Sequence, residues 1–481
     1  MPTEVKVFNN LTRQKVIMQT LNPGEVRFYS CGPTTYDFLH VGNARALVVG
    51  DLIHRTLVAL GYKVTFVRNF TDVDDKIIDR ANELGVDSLA HAARYVEECQ
   101  KDMLSLNMVP ATHTPKVSET MPEIIKMIED LIKNGYGYEV NGEVLYHVPK
   151  FKEYGKLSKK DLESLQHGIR VEVDVHKKNP ADFVLWKPAK PGEPSWESPW
   201  GAGRPGWHIE CSAMSKKFLG ATFDIHHGGI DLMFPHHENE IAQSEGANGC
   251  EFSKHWVHNE FLNFGSEKMS KSLGNVVTIR KFVESYGGQI LRQLLTSVHY
   301  RSKMEWGEEA IERAIGDVER IHEFAISLAS KKGSGQSDVG LSEAKAALVA
   351  MKEELANDFN VPGAMSHFFS IIRLFNREYA QAEPSSETLL AIKALTQFAQ
   401  AATGLVHNHP EVALKEARQS RAMLSGHSGG GNDDHINALL EERKVVRASK
   451  NWKRADEIRD ELKALGVTIK DNPDGSTSWH Y

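Results

Sequence analysis

The chain is poor in cysteine. Its 481 residues include only four, Cys31, Cys99, Cys211 and Cys250, too few and too scattered for a disulfide framework, so they are expected as thiols, either core or ligands. It has no apolar run long enough to span a bilayer, and its first residues, MPTEVKVFNNLTRQK, carry no charged-then-apolar signal pattern. A soluble, cytoplasmic protein without a membrane partner is expected. An excess of positive charge is missing too: 57 Lys and Arg stand against 64 Asp and Glu, a net charge of −7. That excludes a protein that coats nucleic acid indiscriminately and leaves room only for a local basic patch. Internal repeats and long low-complexity tracts are absent as well, so a solenoid is excluded.

What is present has the texture of several globular domains. EVRFYSCG (residues 25–32) reads as a strand running into a Gly-Pro-Thr-Thr loop. VGNARALVVGDLIHRTLVALG follows at helical spacing, and KVTFVRNFTDVDD reads as a second strand ending in an acidic loop. Strand, helix, strand is the unit of a parallel α/β core. Between residues 122 and 205 the texture changes to a lysine patch and a Pro/Trp/Gly-rich run, which reads as an insertion. The α/β pattern resumes at WHIECSAM and FDIHHGGIDLMF. Beyond Trp306 four segments carry apolar stripes at 3.6 spacing and predict a helical bundle. The linker SGHSGGGN then leads to a small module ending in a helix and a hairpin turning near Asn472 to Gly475.

Two segments suit phosphates. HVGN (His40, Val41, Gly42, Asn43) lies where a loop enters a helix, and a helix N-terminus offers unpaired N–H groups and partial positive charge. A His before a Gly is by itself as readily a cap. GSEKMSKSLGN holds Lys268 and Lys271 between Gly265 and Gly274; lysine is a mobile point charge, and the glycines would let the loop close. An isolated pair of this kind would be a solvated loop. The densest set of possible ligands is FPHHENE (residues 234–240). If a helix starts at Pro235, His236 and Glu240 share one face while His237 and Glu238 point elsewhere. Cys31 and Cys211, expected near the ends of core strands, would complete a Cys, Cys, His, Glu shell suited to Zn²⁺. On spacing alone, two buried thiols beside a polar helix face are an equal alternative.

YSCGPTTYDFLHVGNAR, FTDVDDKII, DFVLWK, GRPGWHIECSAM, FDIHHGGIDLMFPHHENEIAQ and KMSKSLGN together resemble the cysteinyl-tRNA synthetases, a family of class I aminoacyl-tRNA synthetases. The resemblance covers essentially the whole chain. It implies a Rossmann-type catalytic core (residues 1–121 and 206–252) split by an inserted connective domain (122–205). A region bearing KMSKS (253–315), a helical bundle (316–424) and a C-terminal α/β anticodon module (433–481) follow. It implies one Zn²⁺ on Cys31, Cys211, His236 and Glu240, which would favour a substrate thiol over serine's harder hydroxyl, and Mg²⁺ with ATP. L-cysteine, ATP and tRNA(Cys) would be the partners of a monomer. The two-step reaction would form cysteinyl-adenylate and then charge tRNA.

Under the same resemblance His40, Asn43, Lys268 and Lys271 carry the chemistry. Asn43 replaces the usual His of the motif and is given a positioning role. His40, Gly42, Asn43, Gly228, Gly229, Asp231 and Lys271 would hold ATP, with His226 beside the glycines and Asp231 on the ribose. His227 stands where the family often has a small residue. Thr71 and Asp74 would hold the substrate ammonium, and Trp207 would wall the pocket, although Asp74 also reads as a helix cap and Trp207 as core. Cys99 and Cys250 fit no ligand motif and are assigned to packing. The basic stretch RKVVRASKNWKR offers Arg447, Lys450, Trp452 and Arg454 to RNA, or else forms a solvated helix with Trp452 in the small module's core. Two other readings stay open: a ligase joining cysteine to an amino sugar, which needs no anticodon module, and a zinc-stabilised RNA-binding protein without catalysis.

Overall fold

The computed structural model describes residues 2–160, 177–264, 277–424, 433–449, 451–464, 468–471 and 477–480. Lys268, Lys271, Lys450 and the turn at 472–475 lie outside them.

The core is a four-stranded, wholly parallel sheet in the order Ser253–Asn259, Phe223–Gly229, Glu25–Ser30, Lys63–Arg68. Parallel strands need crossovers that cover both faces, so their residues are apolar or internally paired rather than alternating. Every residue of FDIHHGG in the second strand is buried. Phe28 stacks on Phe66 across the two strands of the first half, 4.7 Å between ring centroids. The helix Val41–Ala59 makes the crossover within that half, and His236–Asn248 makes it within the other. The direction of winding therefore reverses between Glu25–Ser30 and Phe223–Gly229. A crevice opens at the carboxyl ends of strands at such a reversal, which is where ligands bind in open α/β sheets.

The intervening chain runs through the helices Asp75–Leu84, Ser88–Ser105 and Met121–Lys133, then a four-stranded antiparallel sheet formed by Gly137–Val140, Glu143–Tyr146, Phe183–Pro188 and Gly203–Pro205. It returns through the helix Trp207–Leu219. Cys211 thus sits on a helix, not at a strand end as expected. WHIECSAM puts no β-branched run or turn residue in the way of helix formation, and Gly206 and Gly220 flank it.

Five helices, Glu308–Ser330, Leu341–Ala356, Val361–Tyr379, Ser386–Thr403 and Pro410–Leu424, follow. Phe324, Phe368, Phe375 and Ile392 lie at the centre of their core, and Leu52 of the helix Val41–Ala59 joins it. The bundle is thus packed against the back of the helix whose front end begins with HVGN. The C-terminal module has the helices Asp433–Ala448 and Trp452–Ala464 around Ile436, Leu439, Ile458 and Leu462, and an antiparallel pair, Thr468–Asp471 with Thr477–His480. Its basic stretch is divided between the two helices, with Asn451 Oδ1 accepting from Arg454 N at 3.3 Å. Trp452 is 58% exposed rather than core. Among the described residues no helix is long and apolar enough to cross a membrane.

Candidate functional site

His40 is the N-cap of Val41–Ala59, and its backbone N–H donates to Asn43 Oδ1 at 3.2 Å. Asn43 therefore spends its carbonyl on the helix start and keeps its amide hydrogens for another acceptor. A Cβ on Gly42 would lie 2.9 Å from His40 Nδ1, so only glycine leaves the imidazole room over the first turn. A cleft of about 650 Å³ opens here. Cys31, His40, Gly42 and Asn43 line it together with Trp207, Gly229 and Asp231. The chain on either side of residues 265–276 meets this cleft. Asn263 and Phe264 line it, while Val41 N donates to Val277 O at 3.0 Å and Ile279 N to Leu39 O at 2.8 Å.

Beneath one wall Cys31, Cys211, His236 and Glu240 come together, all buried, their ligand atoms within 4.8 Å of one another. Three elements supply them. Cys31 ends the strand Glu25–Ser30, Cys211 lies on Trp207–Leu219, and His236 and Glu240 are one turn apart on His236–Asn248, Nε2 to Oε1 3.0 Å. His236 is held from behind, its Nδ1 2.9 Å from His208 Nδ1, and from above by Trp207, whose ring stacks at 4.3 Å. Burial opposes the charged forms of His236 and Glu240, yet each holds the other charged. The Glu240 carboxyl is drawn down to about 2 by His226 and His236, and the His236 imidazole is pushed up to about 10 by Glu240 and Cys211. The two thiols split: hydrogen bonding from Cys31 draws Cys211 down to about 6, and burial pushes Cys31 up. Burial and the neighbouring His236 lower His208 to about 3, leaving it the acceptor of the His236 Nδ1–H. Two thiols, an imidazole and a carboxylate with an outer partner on the imidazole make a donor set that fits a tetrahedral metal ion.

Several expectations are corrected here. His237 does not point away: its Nε2 is 3.4 Å from Cys31 Sγ and its Nδ1 is 2.8 Å from His258 Nε2. Glu240 sits on the next turn between the i+3 and i+4 directions, so both histidines flank it. Glu238 does point elsewhere, but into protein rather than water, accepting from Gly155 N at 2.9 Å and Ser158 N at 2.8 Å. His226 is buried beneath the cluster, Nε2 to Glu240 Oε2 2.9 Å, and a Cβ on Gly228 would meet the His237 ring at 2.7 Å; neither faces the cleft, whereas Gly229 does. His227 turns to the opposite face of the sheet, its Nδ1 2.9 Å from Ser30 Oγ. Thr71 is buried and donates to Glu210 Oε2 at 3.1 Å, while Asp74 caps Asp75–Leu84 through Lys76 N at 2.9 Å. Cys99 is buried as expected, but Cys250 is exposed. Arg454 is taken up by Glu442 and Glu461 at 2.8 and 2.7 Å.

The residues missed are His208, His237, His258 and Glu210, the last a buried acid whose pKa burial pushes well above the usual carboxylate range. His258 lies on a strand buried on both faces, where Trp256, Val257 and Asn259 are buried with it, and nothing in the sequence marked it or His208 as a partner of the cluster.

Residues 17–316 match the model of the tRNA synthetases class I (C) catalytic domain, 350–405 the DALR domain, and 430–479 the cysteinyl-tRNA ligase anticodon binding domain. The chain is 44% identical over 479 residues to the cysteine–tRNA ligase of Geobacter sulfurreducens, covering 98% of this chain and 99% of that one. It is 46% identical over 476 residues to that of Idiomarina loihiensis, covering 98% of each. In fold it is similar to Mycobacterium tuberculosis methionyl-tRNA synthetase in complex with methionyl-adenylate (TM-score 0.57, 15% identity, 84% of this chain and 96% of that one). It is likewise similar to the Agrobacterium radiobacter LeuRS in a ternary complex with tRNA and LeuAMS (TM-score 0.59, 11% identity, 87% and 88%). Likeness of this extent, held from the catalytic core to the anticodon module, places the chain in the cysteine–tRNA ligase family of class I tRNA synthetases.

Proposed function

We propose that the chain joins L-cysteine to tRNA(Cys) at the expense of ATP, through a cysteinyl-adenylate. The observation that carries the choice of amino acid is the buried set Cys31, Cys211, His236 and Glu240, placed at the wall of the cleft that the HVGN helix start enters. These four residues would hold Zn²⁺, which supplies an affinity for a thiolate that a serine hydroxyl does not match. The remaining chemistry rests on the chain itself. Trp207 walls the substrate side chain against His236, and Asp231 and Gly229 border the side of the cleft where adenosine would lie. Thr71, through its bond to Glu210, and Asp74 are proposed to act on the ammonium only by shaping the loop behind it.

In the first step a cysteine carboxylate oxygen bonds to the α-phosphorus of ATP and the bond to pyrophosphate breaks, with Mg²⁺ accompanying the nucleotide. The carboxylate is already a nucleophile, so positioning and charge stabilisation do the work. His40, the N–H groups of the helix start and the Asn43 amide serve the phosphates. Lys268 and Lys271 would supply cations from the segment between Phe264, which lines the cleft, and Val277, which accepts from Val41 N. In the second step a terminal ribose hydroxyl of tRNA takes the cysteinyl group and AMP leaves. The C-terminal module would bind the anticodon, with Arg447, Lys450 and the exposed Trp452 offered to RNA and Arg454 bracing the two helices. The chain is proposed to work as a monomer in the cytoplasm.

Pyrophosphate exchange with cysteine and serine, with metal analysis of the same sample, tests this. Exchange should favour cysteine by about 10⁴ or more. Equal exchange with serine, or none with cysteine, would overturn it.

A further inference from the structure

The two oxygens of Glu240 face different neighbours. Oε1 is 3.0 Å from His236 Nε2 and 3.7 Å from Cys31 Sγ, whereas Oε2 is 2.9 Å from His226 Nε2. His237 Nε2 lies 3.4 Å from Cys31 Sγ and 4.0 Å from Glu240 Oε1. Cys31, His226, His237 and Glu240 thus form a second set of four buried donors whose ligand atoms lie within 4.8 Å of one another. Ligand atoms on a tetrahedral ion with bonds of about 2.0 to 2.3 Å stand about 3.3 to 3.8 Å apart, so the Cys31 and His237 spacing needs no adjustment.

We propose that the site has two seats for a single divalent ion, the outer set already described and an inner one made by Cys31, His226, His237 and Glu240. The backing of the ligands is repeated: His236 presents Nε2 and is held at Nδ1 by His208, while His237 presents Nε2 and is held at Nδ1 by His258. Partners of this kind fix which nitrogen faces a metal. The seats share Cys31 and Glu240, so filling one empties the other. An ion entering the inner seat takes the place of the proton between His226 Nε2 and Glu240 Oε2, which passes to His226 Nδ1 so that the imidazole stays neutral, and it displaces the Cys31 thiol proton to solvent.

The seats differ in chemistry. The outer has two sulfurs and one imidazole; the inner has one sulfur and two imidazoles, a harder set. They differ in access as well. Cys31 and Trp207, the latter stacked on His236, line the cleft, while His226 and His237 are fully buried. An ion in the inner seat is kept by the protein but withheld from a substrate thiol. This inference rests on the outer set being a metal site.

Co²⁺ added to the full-length chain is the probe, because its thiolate charge-transfer band counts sulfur ligands. In Cys211→Ser and in His236→Ala, about one Co²⁺ per chain should remain bound. In Cys211→Ser the band should fall about twofold, since one thiolate is left of two. Adding His237→Ala to either variant should reduce the bound ion below about a tenth. The proposal is overturned if the single variants lose Co²⁺ as completely as the doubles, or if adding His237→Ala changes nothing. Far-UV circular dichroism checks folding, and His236→Gln with His237→Gln carries the same test if the alanine variants lose helix. A wild-type chain that binds no Co²⁺ would overturn instead the metal reading on which this rests.

Discussion

Arg292 donates to the Asp51 carboxylate at 2.6 Å with neither side chain exposed to solvent. Asp51 lies on Val41–Ala59, the helix that begins at HVGN, and Arg292 on Gly288–Thr296. Arg292 also donates to Thr403 O at 2.7 Å and Leu106 O at 3.1 Å, so one guanidinium ties the helix Val41–Ala59 to the last turn of the bundle helix Ser386–Thr403. Arg55 and Val109 N complete the shell of Asp51 at 3.0 and 2.8 Å.

Replacing Arg292 by Met leaves the Asp51 charge buried with less compensation. A loss of roughly 3 to 5 kcal/mol is expected in urea unfolding. The double change Arg292→Met with Asp51→Leu removes both charges and should recover part of it. A single variant as stable as the wild type would show that the pair does not join the two parts.

His322 is a second buried link. Its Nδ1–H donates to Val318 O at 2.6 Å and its Nε2 accepts from His407 N at 3.1 Å, so it packs as the neutral form. Burial pushes its pKa down to about 4, from an ordinary value near 6.5. The unfolded chain therefore binds the proton first, and the contribution is full above pH 6.5 and lost as pH falls towards 4. Across that window roughly 2 to 3 kcal/mol is at stake. Unfolding free energy measured against pH should fall more steeply in the wild type than in His322→Leu; equal slopes would contradict this.

Trp207 is 39% exposed and stacks on His236. Trp207→Ala should raise KM for cysteine about tenfold, some 1.4 kcal/mol, and leave KM for ATP within about twofold. A change confined to ATP would remove Trp207 from the amino-acid side of the cleft.

Trp452→Ala takes an exposed ring from the C-terminal module. Its removal should weaken tRNA charging by about 1 to 3 kcal/mol and leave pyrophosphate exchange unchanged. Equal loss in both assays would place the effect on folding instead.

The strand, helix, strand unit at residues 25–68 and the helical bundle were legible because short apolar runs give way to stripes at 3.6 spacing and a glycine marks the end, as at Gly61 after the first crossover helix, whereas the helix Trp207–Leu219 was not set apart from the core strands beside it. His40, Asn43, His236 and Glu240 were legible because local geometry at a helix start involves only residues three or four apart. His208 and His258 were not, since they meet the site through partners 28 and 21 residues away. His237 follows a simpler relation: residues i and i+3 on a helix are as much neighbours as i and i+4, so Glu240 meets it as well as His236. Trp452 was open between core and surface because composition does not show that the basic stretch divides between two helices, the second of which begins at Trp452.

Cys31 follows directly on a central strand, and His40 starts the next helix nine residues later, with the pocket between them bounded by rigid elements. Under the proposed reaction, a substrate anchored at the thiol and reacting at the carboxylate would be measured along its length. Homocysteine carries the same sulfur on one more methylene, a lengthening of about 1.3 Å, and a misplacement of about 1 Å at a reacting atom costs on the order of a hundredfold in rate. On the proposed assignment of the site, the fold would select twice, for the element at one end of the amino acid and for the number of carbons behind it.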